Sequence, residues 1–364
     1  MHTGWNTLPN RWSGLFFLAL ALVLGACLPA TAQPPPASTA RLVLYNWAGE
    51  IPQAVLQAFS SEFGVTVEYK TYDSTEEAVD SLHDGGVYDV AIIEHRLVRS
   101  LIEDHLLAEI DLYRVPNFKN ISFSFRALTF DPGNHYTVPY SWGVIGILAH
   151  RDVQPRLPAA WADLWDGGYC GRIGVWPGQT RQMVSVTLKS LGYSINSEDQ
   201  AQLAAARERL LQLRPCVQMV DSAIVLSSLA RIVTGEIALG VGHGYEAAQL
   251  RNVGLPAEFV VPREGAMLWG DNFVIPASSQ HPELAENFIN FLLRPEISAA
   301  IVNANSFQIA NDAALPYISS DLTQDTALYP PLGTLRNAEF LLPLSPAGER
   351  AYAEIGEAFL AATP

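Results

Sequence analysis

Short aliphatic runs alternating with amphipathic stretches predict an α/β protein of two doubly wound lobes, and three observations support this. The run Arg41–Trp47 opens a series in which β-rich segments and helical patterns take turns. The same alternation begins again near Tyr140. Once an exported leader is set aside, about 325 residues remain, too many for one simple core and suited to two.

The leader comes first. Residues 1–26 carry Arg11 and then the apolar run LFFLALALVLGA, which is too short for an ordinary membrane span and reads as a signal peptide. The run ends in L-G-A-C at Leu24, Gly25, Ala26 and Cys27, the pattern of a bacterial lipoprotein signal. Small residues there let a peptidase approach, and the Cys27 thiol is the nucleophile that takes up lipid. The Pro/Ala/Ser-rich stretch that follows, up to residue 40, cannot bury apolar area, so residues 27–40 form a lipidated cysteine and a tether. The acyl chains would give stable anchoring to a membrane.

From Arg41 the elements follow in order. A helix is expected from Pro52, with Val55, Phe59 and Phe63 at four-residue spacing on one face. Next come a strand over 65–72, a helix opened by Ser74 with Glu77 completing a capping box, and a strand over 88–93. That βαβαβ order makes a parallel sheet. In the second series, a strand over 172–176 leads into a helix ending at Gly192, and a longer helix runs over 197–213. Then come a strand over 217–220, a helix from Ser222, a strand over 237–242 and a helix over 245–252. Cys170 and Cys216 each precede an apolar strand, and in an oxidising compartment two neighbouring parallel strands would let them pair as a disulfide.

Charge and motifs exclude several functions. Loss of Arg11 with the leader takes Lys+Arg from 22 to 21 against 37 Asp+Glu, a formal balance of −16. Nucleic acid and anionic membrane surfaces are poor partners for such a body. There is no G-x-S-x-G, H-E-x-x-H, C-x-x-C or Walker A loop, and so no signal for a hydrolase, a zinc site or a nucleotide site. The string Gly240-Val-Gly-His-Gly-Tyr resembles a dinucleotide fingerprint but has Tyr245 at the third glycine position, so it reads as a tight turn that brings backbone close to a ligand. The eight histidines are scattered, with only His95 and His243 at strand ends, and no spacing supports a metal. No cofactor is implied.

In open α/β sheets, ligands sit beyond the carboxyl ends of the strands. Here those ends carry Trp47, Asp73, Glu94, Gln179, Ser222, His243 and Asp271. Two such rows facing each other across a hinge would form a cleft.

Several further motifs give the chain a recognisable pattern. They are L-Y-N-W at 44–47, T-Y-D-S at 71–74, G-x-Y-D at 86–89, V-P-Y-S-W-G at 138–143, W-A-D-L-W at 161–165, L-G-Y-S at 191–194 and N-F-L-L-R-P-E at 290–296. In these the mature chain resembles, over nearly its whole length, the spermidine/putrescine-binding periplasmic proteins of polyamine ABC importers. The resemblance implies the two-lobed periplasmic-binding-protein fold of type II, with doubly wound sheets joined by a multi-crossing hinge. Lobe 1 would be 41–138 plus 270–315 and lobe 2 would be 139–269 plus 316–364, with crossings near Pro139, Trp269 and Leu315. It implies a monomer that closes on a small solute and delivers it to a permease and its ATPase, without catalysis.

In that family aromatic walls hold methylenes and ammonium groups while carboxylates pair with the charges. By local motif, Trp47, Trp269 and Asp271 fall on binding positions and keep the expected residue type, as does Ser222. Departures fall in the cleft. Gln179 and Gln182 stand where the family has acids, and His243, Phe307, Leu341 and Arg96 replace a tryptophan, a tyrosine, a glutamine and a tyrosine. Glu50 and Glu94 add acids, and Glu246 matches an acid of putrescine binders. Two ligand readings stay open. Either Arg96 is neutralised by Glu94 and the ligand is a diamine or polyamine, or Arg96 clasps the carboxylate or phosphonate of a zwitterionic amine. A sensor lipoprotein of the same fold is a further alternative.

Overall fold

A computed structural model describes residues 40–153, 156–220 and 234–362. The leader, Cys27 and the tether, as well as Ser222 and the helix expected from it, lie outside the described residues. Among the described residues no helix is long and apolar enough to cross a membrane.

The first wound unit consists of β1 (Arg41–Trp47), α1 (Gln53–Phe63), β2 (Thr66–Tyr72), α2 (Thr75–His83), β3 (Val90–Glu94) and α3 (His95–Glu103). β1 pairs in parallel with both β2 and β3. α1 stops at Gly64, whose φ of 66° places it in the left-handed region that a glycine adopts without steric cost. Ser74 caps α2 by accepting from Glu77 N at 3.1 Å, while the Glu77 carboxylate reaches one residue further back than a capping box requires, to Asp73 N at 2.8 Å.

β4 (Val138–His150) follows, and the buried Asp131 carboxylate sets its entry by accepting from the backbone N–H groups of His135, Tyr136 and Thr137. The second wound unit has β5 (Ile173–Val175), α4 (Thr180–Ser190), α5 (Gln200–Leu213), β6 (Val217–Met219), β7 (Leu239–His243), α6 (Gly244–Asn252) and β8 (Ala257–Val260). α5 begins three residues later than the sequence suggests, because Asp199 supplies its cap, accepting from Gln202 N at 2.9 Å. Ser197 instead donates to the Gln202 side chain at 2.6 Å. β5 and β6 run parallel with Ile173 opposite Val217, and the disulfide between Cys170 and Cys216 joins the two chains just before that pairing begins.

β9 (Met267–Val274) brings the chain back, and α7 (Pro282–Leu292), α8 (Pro295–Asn305) and β10 (Gln308–Ile309) complete the first body. The short α9 (Ser320–Thr323), β11 (Glu339–Phe340) and α10 (Pro346–Ala361) end the chain. The two wound sheets prove to be continuous, in the order β2-β1-β3-β9-β4-β7-β5-β6, with β10 and β8 on β4 and β11 on β9. The join is the antiparallel pair β4 and β9, which has an irregularity between Pro139 and Ser141.

Packing divides around that join. On β1, Leu42 and Leu44 face a core with Phe59, Phe288 and Phe291, while Val43 and Tyr45 face another with Ala91 and Ile93. A strand covered on both faces reads as a continuous apolar run, as β1 does. The second body centres on Ile145, Trp161, Met183, Leu210 and Phe359. Along β4 the core changes hands between Tyr140 and Ile145, along β9 between Met267 and Phe273, and a third passage lies between Ile318 and Ala327.

Candidate ligand-binding site

Between the strand ends of the two bodies lies a cavity of about 640 Å³, a size typical of small-molecule sites. Its wall is built from the carboxyl ends of β1, β2, β3 and β7, the first turns of α2, α4 and α6, and the middle of β9. Of the sequence-derived candidates, Trp47, Glu50, Asp73, Glu94, Arg96 and Phe307 line it from the first body's segments. Gln179, Gln182, His243, Glu246, Trp269 and Asp271 complete the set. Ser222 lies outside the described residues.

Two carboxyl groups dominate one part of the wall. Asp271 is buried on β9 and accepts from the Ser141 hydroxyl at 3.1 Å. Burial and the neighbouring Glu94 push its pKa up to about 8. Glu50 follows β1, and its Oε2 is enclosed without a hydrogen-bond partner. Burial, and then the charge of Asp271, raise it well above the usual carboxylate range. The Tyr72, Tyr140 and Tyr245 phenols are also raised, by burial and then by nearby acids, and stay neutral.

Elsewhere on the wall the acids are already engaged. Arg96 donates from Nε to Glu94 Oε2 at 2.9 Å and from Nη2 to Glu76 Oε1 and Thr75 Oγ1, both at 2.8 Å. Burial works against the guanidinium, but the two carboxylates outweigh it and raise its pKa. Glu246 accepts from His243 N at 2.6 Å, which caps α6. Gln179 is spent on backbone, donating to Val241 O at 3.3 Å, whereas the Gln182 Oε1 is enclosed and unpartnered.

Aromatic rings supply the apolar wall. Trp47 meets Tyr72 edge to face, with centroids 4.6 Å apart, and Trp269 stands edge-on to His243 and Tyr245. The indole of Trp269 lies against Gly143 on β4, where a Cβ would come within 2.6 Å of Nε1. Only glycine allows that approach, and the terminal glycine of V-P-Y-S-W-G provides it.

Three expectations need correction. His95, just after β3, is not in the cavity wall; it is buried between Phe130 and Phe340, and burial alone holds its pKa down at about 3. Leu341 lies in the second hydrophobic core and not in the cavity wall. The glycine string serves chain packing, since a Cβ on Gly244 would strike the Ala327 carbonyl oxygen at 1.9 Å.

Sequence reasoning missed Tyr72, Tyr245 and Arg181, all in the wall. Tyr72 ends β2 and Tyr245 follows the flagged His243, so strand-end position could have found both. Arg181 stacks its guanidinium over Tyr352 at 4.2 Å and donates to Asn196 Oδ1 at 3.0 Å. Among the described residues no group of three or more His, Cys, Asp or Glu could hold a metal ion.

Residues 54–330 match the family model described as bacterial extracellular solute-binding protein. The chain is 32% identical over 334 residues to the spermidine/putrescine-binding periplasmic protein of Escherichia coli, covering 91% of this chain and 93% of the relative. It is 33% identical to the putrescine/agmatine-binding protein of Pseudomonas aeruginosa, over 85% of this chain and 89% of that one. A solved structure of a spermidine/putrescine ABC transporter substrate-binding protein from Streptococcus pneumoniae superposes with a TM-score of 0.80 at 30% identity, covering 88% of this chain and 99% of that chain.

Proposed function

This chain belongs to the bacterial extracellular solute-binding proteins, a family of binders and not of enzymes, and from that premise we propose that it captures polyamine-type cations for an ABC importer. The observation that carries the ligand class is the enclosed Glu50 and Asp271 pair among aromatic rings, since buried acids beside an Arg96 already bound by Glu94 and Glu76 are complementary to a further cation. The engagement of Arg96 by Glu94 and Glu76 supports this over a zwitterionic ligand, because the guanidinium that would clasp a carboxylate is already bound.

In this reading Trp47 and Trp269 hold methylenes and ammonium groups by their faces, and Asp271 and Glu50 take the charge. Lobes 41–138 plus 270–315 and 139–269 plus 316–364 close on the solute by flexing where β4 and β9 cross. The closed monomer is what the permease and ATPase recognise. The leader, Cys27 and the tether fix the protein to a membrane by lipid, a role that rests on L-G-A-C and the Pro/Ala-rich stretch. Incorporation of labelled fatty acid that disappears in Cys27→Ala tests the anchor.

The ligand test is thermal stability with putrescine, spermidine, amino acids and phosphonates in turn. A ligand at a hundred times its dissociation constant adds about 2.7 kcal/mol of stability. A shift with zwitterions and none with any amine overturns the polyamine assignment.

A further inference from the structure

Glu50 is an unusual acid in an unusual place. It sits three residues beyond Trp47, its Oε2 is enclosed without a partner, and the Asp271 carboxyl acts on it electrostatically across the same cavity. We propose that Glu50 and Asp271 form one seat for a single ammonium group, and that the empty seat keeps one shared proton, so that solute capture exchanges an amine cation for a proton. This rests on the amine reading above and adds to it the chemistry of loading.

The cations of the wall are Arg96, whose charge acts on Asp271 but is outweighed by burial and Glu94, and Arg181, which stacks over Tyr352. β2 contributes Tyr69 and Tyr72, β4 contributes Tyr140 and α6 contributes Tyr245, all phenols that burial holds neutral. The amide of Asn46, on β1, donates to the Tyr69 hydroxyl at 3.0 Å, and the hydroxyl of Ser141, on β4, donates to Asp271. β3 brings another acid, Glu94, and α3 brings Arg96, whose guanidinium is held by Glu94 and by Glu76 of α2. Glu246 on α6 is bound to the His243 backbone. Two ionised carboxylates enclosed in one cavity wall are costly, and such a pair keeps a proton.

Charge balance supports the exchange. Two carboxylates and one proton carry a single negative charge, and so do two carboxylates and one ammonium. As the amine enters, the carboxyl O–H bond breaks, the proton leaves to solvent, and the N–H groups of the ammonium replace it on the oxygens. The buried charge never rises.

Calorimetry of the full chain with putrescine and with spermidine, at pH 7 in buffers of different ionisation enthalpy, reads the proton directly. About one proton should be released per amine bound, and the dissociation constant should tighten about tenfold from pH 6 to pH 7. In Glu50→Gln binding should weaken, while Asp271, raised by burial and Glu94, still gives up a proton as the amine enters. Tight amine binding by the native protein with no proton release would overturn the exchange and leave the amine assignment standing, without recourse to any variant. Absence of binding by every amine would instead remove the assignment itself.

Discussion

Glu94 faces Asp271 across the β3–β9 ladder, yet its carboxylate turns to Arg96, with Nε 2.9 Å from Oε2. The ion pair is mostly buried, each side chain being 15% exposed, so it screens the cavity from a positive charge that would repel a polycation.

Altering that pair should move amine affinity in opposite directions. Glu94→Gln leaves Arg96 with Glu76 alone and frees part of its charge toward Asp271, so putrescine binding should weaken about tenfold, or about 1.4 kcal/mol. Arg96→Gln uncovers two acids and should tighten binding several-fold, at some cost in stability because a partly buried pair loses one partner. Titration calorimetry of both variants checks the signs, and a parallel loss in both would mean that the pair acts only in folding.

Asp271 makes a second case, read from stability. Its folded pKa of about 8 lies above the ordinary aspartate value, so the native state binds more protons than the unfolded chain between about pH 4 and 8. Stability of the empty protein should therefore fall as pH rises through that window. Asp271→Asn should flatten the fall and raise the melting temperature of the empty protein, while abolishing the shift with amines. Melting curves from pH 5 to 8, with and without putrescine, test both halves.

The legible and illegible parts of the molecule divide along physical lines. Strands β1 to β3 and helices α1 and α2 could be read because their apolar periods and the Ser74 cap act locally. Strand-end position likewise brought Trp47, Asp73, Glu94, Gln179 and His243 to one cavity, whereas Asp271, expected at a strand end, reaches it from the middle of β9. What could not be read was which side chains are already occupied. Gln179 bonding to Val241 O and His95 sinking into the core depend on neighbours distant in sequence, while Glu246 is occupied locally by the His243 N–H three residues before it. The merging of both sheets through β4 and β9 was hidden too, because strand pairing is non-local.

The disulfide gives a prediction about stability alone. It joins residues 46 apart, just ahead of β5 and β6, and neither cysteine is in the cavity wall. Loop-closure entropy for a link of that span is worth up to about 4 kcal/mol. The Cys170→Ser, Cys216→Ser double variant should unfold at lower denaturant with little change in amine affinity. A large affinity loss in a variant that remains folded would show that the second body must be tightly tied for closure.

Gly143 separates the shape of the site from its chemistry. The Trp269 indole lies directly on its backbone, and the 2.6 Å approach of an added Cβ to Nε1 cannot be met without moving the ring. The strand around Gly143 pairs regularly with β9, placing Gly143 opposite Trp269, so alanine there should keep the fold. Gly143→Ala should thus displace an aromatic wall and leave every carboxylate in place. Loss of a desolvated cation–π contact is worth about 2 kcal/mol, or about thirtyfold in the dissociation constant. If the amine is held by the acids alone, affinity in this variant will stay within about twofold of the native protein; if the indole face grips an ammonium or the adjoining methylenes, the loss will approach that of Trp269→Ala. Comparing the two variants by calorimetry, with circular dichroism to confirm folding, decides whether Trp269 binds solute or only packs.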